Sequence, residues 1–239
     1  MIFSLASLSA HNLEQSVNSE DRSPDNVARD IYRHPYETLS FFGIKPDMTV
    51  VELNPGGGWY TEILANYIHY PGTLITAQSS YYFEGFEKKM NSNPMYGRVE
   101  IVNLNSNLAE PNSVDAVITF RNLHNWLGAD MDSIFRSSFK ALKPGGSFGV
   151  VEHRAKPGTD FETMKTSGYV TEDHAIEVAL KHGFELVEKS EINANPKDTK
   201  DYPKGVWTLP PRLRLDDVDR DKYKSIGESD RMTLLFRKP

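Results

Sequence analysis

A glycine-rich turn between an apolar run and an amphipathic stretch constrains this chain more than any other feature of its sequence. The apolar, valine-rich run over residues 48–53 predicts a buried strand, and Asn54-Pro55-Gly56-Gly57-Gly58 follows it directly. Apolar residues then recur at helical spacing, namely Trp59, Tyr60, Ile63, Leu64, Tyr67 and Ile68. A strand–turn–helix unit of this kind lies at the carboxyl edge of an open α/β sheet, which is the edge where such sheets bind ligands.

The rest of the chain repeats the alternation of strand and helix. Hydrophobic patterning predicts six further strands, over residues 73–77, 99–104, 114–120, 147–152, 184–192 and 232–236. It predicts helices over residues 83–90, 130–142 and 172–182, the second of them ended by Lys143-Pro144-Gly145-Gly146. We therefore expect a doubly wound α/β fold of about seven strands, mostly parallel, with an antiparallel last strand and helices on both faces.

The chain is expected to hold one domain over residues 23–239, with two additions to the sheet. Ser23-Pro24 is a favourable helix start, so residues 23–45 predict an N-terminal helical cap. Residues 195–229 are rich in proline and in mixed charges, which favours a long loop or lid.

Residues 1–22 are expected to be a tail or the remnant of a signal segment. The first ten residues are apolar and end in small side chains, as a signal peptide does, but they lack its basic start. Two interpretations stay open: a periplasmic protein with a truncated signal peptide, and a cytoplasmic protein with an N-terminal tail.

Composition narrows the class of partner. The formal net charge is −6 and no run of Lys or Arg is present, which disfavours binding of nucleic acid through its phosphates. The chain has no cysteine, its seven histidines lack metal-site spacing, and no apolar stretch is long enough for a membrane span. The sequence thus predicts a small-molecule substrate and no metal, and it leaves the oligomeric state open.

The glycine turn lacks the marks of a loop that binds phosphates. In a dinucleotide fingerprint a third glycine would stand at Thr61, which here follows the bulky Trp59 and Tyr60. A P-loop would need Gly-Lys-Ser or Gly-Lys-Thr, which is absent. The turn therefore suits a ligand without a pyrophosphate, and a tight turn without any ligand is the structural alternative.

Three motifs in a fixed order give the chain a resemblance to a known superfamily. They are Val50-Val51-Glu52-Leu53-x-x-Gly56-x-Gly58, Ser113-Val114-Asp115-Ala116-Val117 and Leu142-Lys143-Pro144-Gly145-Gly146. On these motifs the chain resembles the class I methyltransferases, which implies a Rossmann-like fold and S-adenosylmethionine as the cofactor.

Residues 20–239, approximately, also resemble a narrower family of predicted bacterial methyltransferases, many of which carry export signals. The matching stretches are Arg33-His34-Pro35, Pro55-Gly56-Gly57-Gly58-Trp59-Tyr60-Thr61-Glu62, Arg121-Asn122-Leu123-His124-Asn125-Trp126, Glu152-His153-Arg154 and Phe236-Arg237-Lys238-Pro239. This resemblance implies methyl transfer but names no substrate.

The resemblance implies a set of cofactor-binding residues near the strand ends: Glu52, Asn54, Pro55, Gly56, Gly57, Gly58, Trp59, Tyr60, Gln78, Asn105 and Asn122. Three of them depart from the superfamily pattern. Asn54 stands where glycine is usual, Gln78 where an acidic residue usually holds the ribose hydroxyls, and Asn105 where an aspartate usually meets the adenine amino group. Amides also form hydrogen bonds but without the strength of a charge-assisted bond, so a weaker cofactor site is one expectation.

Candidate catalytic residues follow the fourth and fifth predicted strands at the same sheet edge: His124, His153, Asn125 and Arg121. Methyl transfer is a displacement at an already activated sulfonium, so the protein mainly positions the acceptor and removes its proton. We predict His124 as the general base or substrate-orienting residue and His153 as the second choice, because imidazole titrates near neutral pH.

Further aromatic and basic residues are candidates for enclosing the pocket. Trp126 and Tyr60 are predicted to close it, and Arg33-His34-Pro35 to fold back over it. Two other functions are weighed beside methyl transfer. A degenerate binding or accessory protein of the same fold stays open because of Asn54, Gln78 and Asn105, whereas a Rossmann oxidoreductase is disfavoured by Trp59-Tyr60-Thr61.

Overall fold

Seven strands form one sheet in the computed structural model, which describes residues 12–239. The strands are Thr49–Leu53 (β1), Thr73–Gln78 (β2), Val99–Asn103 (β3), Val114–Phe120 (β4), Leu142–His153 (β5), Glu185–Ser190 (β6) and Arg231–Arg237 (β7). Their order is β3-β2-β1-β4-β5-β7-β6. Strands β1 to β5 are parallel, and β7 pairs antiparallel with both β5 and β6. The predicted fold class is confirmed.

The sheet topology places a crevice beside β1. This strand pairs with β2 on one side and with β4 on the other, so the chain winds outward in both directions from β1. In open α/β sheets the carboxyl ends of the strands at such a switch point form the ligand-binding crevice. The glycine turn after β1 and the residues after β4 therefore meet at one edge of the sheet.

Eleven helices are present in the described part of the chain and cover both faces of the sheet. They are Leu13–Val17 (α1), Pro24–Val27 (α2), Asp30–Arg33 (α3), Pro35–Phe41 (α4), Trp59–Tyr67 (α5), Phe83–Met90 (α6), Leu123–Trp126 (α7), Ala129–Ala141 (α8), Phe161–Ser167 (α9), Glu172–Lys181 (α10) and Arg220–Ile226 (α11). Short 3-10 helices occupy Pro94–Tyr96 and Gly205–Thr208. Among residues 12–239, no helix combines the length and the apolar character that crossing a membrane requires.

Successive residues of β1 enter two separate hydrophobic cores. Val51 and Leu53 belong to the larger core, whereas Val50 belongs to the core that contains Leu39 of α4 and Ile63 of α5. Since side chains of a strand alternate between faces, this division shows that both faces of the sheet are covered. The uninterrupted apolar run of the sequence reflects this burial on two sides.

The N-terminal segment differs from the prediction. Residues 1–11 lie outside the described residues, but α1 stands within the stretch expected to be a tail. A capping box between Asn12 and Gln15 starts this helix, and Leu13 and Val17 are buried in the second core. The polar composition concealed the helix because only these two apolar side chains, one turn apart, face the core.

Other boundaries also shift from their predicted positions. The helix expected after Pro24 is three short helices, and the break between α3 and α4 occurs where His34 adopts a left-handed backbone conformation (φ 41°) and Pro35 begins α4. Strand β5 begins at Leu142, so the Lys143–Gly146 segment that was expected to end a helix is already extended. Helices α7, α9 and α11 lie in segments for which no helix was predicted.

Two of the three sequence motifs lie at the amino edge of the sheet, opposite the crevice. One carboxylate oxygen of Asp115 accepts a hydrogen bond from the Thr49 backbone N–H at 2.8 Å, and the other contacts Lys143 Nζ at 2.6 Å. These contacts join the beginnings of β1, β4 and β5. The motifs therefore stabilise the sheet and take no part in the crevice.

Gly149 in β5 lets the N-terminal cap approach the sheet. A Cβ atom at this position would lie 2.6 Å from two ring atoms of Phe42, the residue that follows α4. This contact fixes the end of α4, and with it the cap that carries Arg33.

We predict that Gly149→Ala lowers the free energy of unfolding by about 1–3 kcal/mol, because the added methyl group overpacks against the Phe42 ring. Gly85→Ala is the matched control, since a Cβ there meets no atom within 4 Å. Gly85 is an exposed residue of α6, so alanine is expected to raise stability by up to about 1 kcal/mol. Urea denaturation of the two variants measures both values, and equal stabilities would contradict the prediction.

Candidate functional site

A cavity of about 580 Å³ opens at the carboxyl edge of the sheet. Its wall is formed mainly by the glycine turn, the residues after β4, the N-terminal cap and the long segment 195–229, with Tyr82 before α6 and His153 at the end of β5. The cap contributes Arg29 and Arg33, and the long segment contributes Trp207 and Arg214. The two additions to the sheet therefore enclose the crevice from opposite ends of the sequence.

The glycine turn depends on left-handed backbone conformations. Asn54, Gly56 and Gly58 have φ angles of 46°, 59° and 77°. Asparagine is among the few residues besides glycine that adopt this conformation readily. The departure from the superfamily pattern at Asn54 thus preserves the path of the turn.

The amide side chains of Asn54 and Asn122 connect the ends of β1 and β4. Asn54 Nδ2 donates to Asn122 Oδ1 at 3.0 Å, and Asn122 Nδ2 lies 3.1 Å from both the Leu53 carbonyl oxygen and Thr119 Oγ1. Asn54 Oδ1 also accepts the Ser79 backbone N–H at 3.3 Å. These bonds set the width of the crevice between the two strand ends.

His124 and the buried Glu152 form a hydrogen-bonded pair at the cavity wall. His124 Nδ1 lies 3.0 Å from Glu152 Oε1, and the carboxylate also accepts the backbone N–H groups of His124 at 3.3 Å and of His153 at 2.7 Å. A carboxylate only accepts hydrogen bonds, so the pairing places the imidazole proton on Nδ1. Nε2 of His124 is then the basic nitrogen.

His153 lines the same cavity but has a different environment. Its Nδ1 is hydrogen-bonded to Ser229 Oγ, and its ring centroid lies 5.2 Å from that of His124. Burial lowers the pKa of His153 well below its ordinary value, and the positive charge of Arg121 lowers it further. His153 is therefore neutral near pH 7.

The sequence predicted no metal site because its histidines are scattered, but the fold brings His124, Glu152 and His153 together. One potential ligand atom of each lies within 4.8 Å of the others. His124 Nδ1 and Glu152 Oε1 are already bonded to each other, and the Arg121 charge that acts on His153 repels a cation. The absence of a metal stays a prediction at this cluster.

Trp59 and Tyr60 do not fill the crevice. Tyr60 stacks on Phe120 with a centroid distance of 3.5 Å, and its hydroxyl donates to the Arg33 carbonyl oxygen at 3.2 Å. Trp59 forms part of the cavity wall, where its Nε1 donates to the Asn26 carbonyl oxygen at 3.0 Å. The two aromatic side chains anchor the N-terminal cap and leave the cavity open.

Gln78 and Asn105 lie outside the cavity. Gln78 is buried, its Nε2 donates to the Gly56 carbonyl oxygen at 3.1 Å, and its Oε1 accepts the Ser79 N–H at 3.2 Å. Asn105 is exposed after β3. The Gln78 amide thus supports the glycine turn from behind, and neither residue faces the space that the other candidates enclose.

Of the other predicted residues, Asn54, Pro55, Gly56, Gly57, Trp59, Arg121, Asn122, His124, Asn125 and His153 line the cavity. Gly58 precedes α5 as its N-cap, and Glu52 and Tyr60 line a smaller neighbouring void of about 30 Å³. Of the Arg33-His34-Pro35 segment that was predicted to fold back over the pocket, Arg33 lines the cavity and the other two residues do not.

The prediction that Trp126 closes the pocket is wrong, because its side chain is buried in the larger core. Trp207 takes that place, with its ring centroid 6.1 Å from that of His124. The cavity is also lined by residues that were not predicted from the sequence, among them Arg29, Tyr82, Phe120, Trp207, Arg212 and Arg214. For Trp207, Arg212 and Arg214, the signal in the sequence is the presence of tryptophan and arginine in an otherwise proline-rich segment.

The structure is similar to solved methyltransferases over nearly its whole length. An S-adenosylmethionine-dependent methyltransferase from Aquifex aeolicus matches with a TM-score of 0.63 and 14% identity, over 96% of this chain and 100% of the other. Geranyl diphosphate C-methyltransferase from Streptomyces coelicolor A3(2), solved with Mg²⁺, geranyl diphosphate and S-adenosylhomocysteine, matches with a TM-score of 0.64 and 12% identity, over 96% and 89%. The chain thus has the Rossmann-like fold of methyltransferases.

Residues 51–150 match the family model described as a methyltransferase domain. This segment begins within β1 and includes the glycine turn and His124. Together with the fold, the match supports the resemblance to class I, S-adenosylmethionine-dependent methyltransferases. No curated protein sequence matches the chain.

The same fold also occurs in a protein named for a different reaction. The 4+2 cyclase SpnF matches with a TM-score of 0.62 and 16% identity, over 95% of this chain and 91% of the other. The fold by itself therefore does not determine the reaction, which has to be inferred from the side chains that line the cavity.

Glu52 is buried beneath the glycine turn, and burial changes the pKa of its carboxyl group. Burial raises the pKa of its carboxyl group to about 7, and the hydrogen bond from Thr61 Oγ1 at 2.6 Å opposes that rise. Because the folded pKa lies above the unfolded value of about 4.5, the contribution of Glu52 to stability is fully present below about pH 4.5 and is lost as the pH rises to about 7. Across this window the loss is on the order of 3 kcal/mol.

We predict that Glu52→Gln removes this loss, because glutamine resembles the protonated acid. Relative to the wild type, the free energy of unfolding of the variant is expected to rise by about 3 kcal/mol between pH 4.5 and pH 8. Urea titrations of both proteins at the two pH values measure the change, and comparing the two proteins cancels the contribution of other groups. A difference that does not vary with pH would refute the assignment.

Proposed function

We propose that this chain transfers the methyl group of S-adenosylmethionine to a small-molecule acceptor. The observation that carries the proposal is the cavity, in whose wall Gly56 and Gly57 of the turn meet His124. The methyltransferase family model over residues 51–150 supports it, as do neighbours of the same fold solved with S-adenosylhomocysteine.

The residues of the turn fit a nucleoside that carries an amino-acid tail. A Cβ atom at Gly57 would meet no protein atom within 4 Å, so the backbone there borders open space, where a ligand can approach it closely. The cavity volume of about 580 Å³ lies in the usual range for small-molecule sites. Asn54 through Gly57 and Asn122 would hold the cofactor, which supplies an electrophilic methyl group when bound.

His124 is the proposed general base. The Glu152 carboxylate fixes the proton on Nδ1, so Nε2 is available to remove a proton from the acceptor as it attacks. Asn125 and the neutral His153 also line the cavity and would orient the acceptor. Trp207 would exclude water above His124.

A binding or accessory protein without methyl transfer is the second candidate. It is favoured by the inward hydrogen bonds of Gln78 and by the exposed position of Asn105, because neither residue would reach a nucleoside held in the cavity. The two candidates differ in whether the nucleoside binds and in whether a methyl group is transferred.

We predict that the protein binds S-adenosylmethionine and S-adenosylhomocysteine, and that Gly57→Ala raises the Kd for S-adenosylhomocysteine about tenfold or more. The added methyl group occupies the space next to the turn without contacting the protein, so the melting temperature is expected to stay unchanged. Calorimetric titration measures the affinity.

Gly85→Ala, whose added methyl group also meets open space but lies in α6 away from the cavity wall, is the control and is expected to keep the wild-type affinity. Absence of binding of either nucleoside at high micromolar concentration would rule out the methyltransferase proposal. Binding without any transfer of the methyl group would favour the second candidate.

We predict that His124→Gln reduces methyl transfer by about 10²–10⁴-fold, the usual contribution of a general base, and leaves nucleoside affinity within about twofold. The measurement is transfer of radioactive label from methyl-labelled S-adenosylmethionine to a cellular fraction of small molecules. His69→Gln is the control, because His69 lies at the opposite, amino edge of the sheet, where its N–H bonds the Pro46 carbonyl oxygen. Equal turnover in the two variants would exclude His124 as the base.

A further inference from the structure

The cavity wall is strongly cationic. Arg29, Arg33, Arg121, Arg212 and Arg214 line it, and within the described part of the chain no lining residue is Asp or Glu. The chain as a whole carries a formal net charge of −6. Positive charge is therefore concentrated at this site, although the net charge of the protein is negative.

A single carboxylate near the cavity serves three arginines. Glu228 lies 2.6 Å from Arg29, 3.3 Å from Arg33 and 2.8 Å from Arg231. Arg33 is only 2% exposed, and its Nη2 atom has no hydrogen-bond partner. One negative charge cannot neutralise three guanidinium groups, so excess positive charge remains at the base of the cavity.

Three further arginines at the cavity have no ion-pair partner among residues 12–239. They are Arg121, Arg212 and Arg214. Arg121 has a left-handed backbone (φ 59°) that its N–H stabilises by bonding the Val151 carbonyl oxygen at 2.7 Å. Burial lowers the pKa of Arg121 to about 10; the charges of Glu228 and Glu152 oppose this shift, and those of Arg231 and Arg29 add to it.

The long segment supplies its arginines at the mouth of the cavity. Arg214 lies with its guanidinium carbon 4.9 Å from the centroid of the Trp207 ring, and Arg212 is an exposed residue near it. The arginines therefore form two groups. Arg29, Arg33 and Arg121 come from the N-terminal cap and the end of β4, and Arg212 and Arg214 come from the long segment. A ligand between these groups would contact guanidinium groups from both sides.

The proposed cofactor would add to the excess positive charge at the cavity. S-adenosylmethionine carries a sulfonium and an ammonium group but one carboxylate, so it is a net cation. Its single carboxylate can pair with one of the buried arginines, and its remaining charge repels the others. Uncompensated charge of one sign in a partly desolvated site is costly, which indicates that a further anion completes the occupied site.

We propose that the methyl acceptor carries an oxyanion, either a carboxylate or a phosphate group, and that Arg121, Arg212 and Arg214 bind it. Guanidinium groups suit this role because their planar donors match carboxylate and phosphate oxygens in bidentate hydrogen bonds. The inference rests on the proposed function and assigns a substrate class to it. It also implies that the anion and the cationic cofactor bind cooperatively.

The test is calorimetric titration of S-adenosylmethionine with and without inorganic pyrophosphate at constant ionic strength, with malonate as the parallel carboxylate probe. An effective anion is expected to raise the affinity for S-adenosylmethionine about fivefold or more. It is expected to raise the affinity for S-adenosylhomocysteine less, because that nucleoside lacks the sulfonium charge. An effect of pyrophosphate alone assigns a phosphate acceptor, and an effect of malonate assigns a carboxylate.

Arg121→Gln and Arg214→Gln are each expected to reduce the anion effect below about twofold, which removes most of the coupling. Arg214 is exposed on the long segment, so its variant keeps the test valid if Arg121→Gln does not fold. Arg98→Gln is the matched control, because Arg98 is exposed between α6 and β3 and does not line the cavity.

Two results would overturn the inference. One is the absence of any anion effect in the wild type. The other is weaker binding of both nucleosides in the presence of either anion, because the arginines would then serve the cofactor's own carboxylate. If neither nucleoside binds but pyrophosphate binds in a manner that depends on Arg121, the proposed function fails and the anion site stands.

Discussion

The parallel pairing of β1 with β4 is the constraint on which the site depends. Leu53 lies opposite Thr119, so the two strands end side by side and both chains leave the sheet at the same edge. Asn122 then donates to the carbonyl oxygens of Leu53 and Asn54 at 3.1 and 3.2 Å. Backbone register thus brings the glycine turn close to Arg121 and His124, although more than sixty residues separate them in sequence.

Charge pairing adds the two outer walls to this frame. Burial acts to raise the pKa of Glu228, yet Arg231, Arg33, Arg121 and Arg29 together lower it to about 2. The carboxylate therefore stays ionised and joins the N-terminal cap to the start of β7 through Arg33 and Arg231. Because removing one partner of a buried ion pair leaves an uncompensated charge, the cap and the long segment are expected to hold their positions together.

The sequence was sufficient to predict the sheet, the glycine turn and the position of His124 near that turn. Hydrophobic periodicity and turn-forming residues are local properties, so they can be recognised without the tertiary structure. It could not predict the direction of Trp126, which lies on a helix of four residues too short to show a periodicity. Trp207 and Arg214 reach the cavity only through the tertiary path of the long segment. Gln78 was assigned from the position of its strand end, but its amide turns inward to the Gly56 carbonyl oxygen.

The two sides of the crevice differ in how they can hold a ligand. On the nucleoside side, Gln78 is engaged by the protein and Asn105 is exposed, so no side-chain charge is directed at a ribose or an adenine from these positions. On the other side, Arg121, Arg212 and Arg214 line the wall, and these are the residues that we propose to bind the acceptor. Under the proposed function, a large share of the favourable electrostatic free energy therefore comes from an anionic acceptor. The cationic cofactor and the anionic acceptor would then each bind more tightly when the other is present, because a coupling free energy between two ligands is reciprocal.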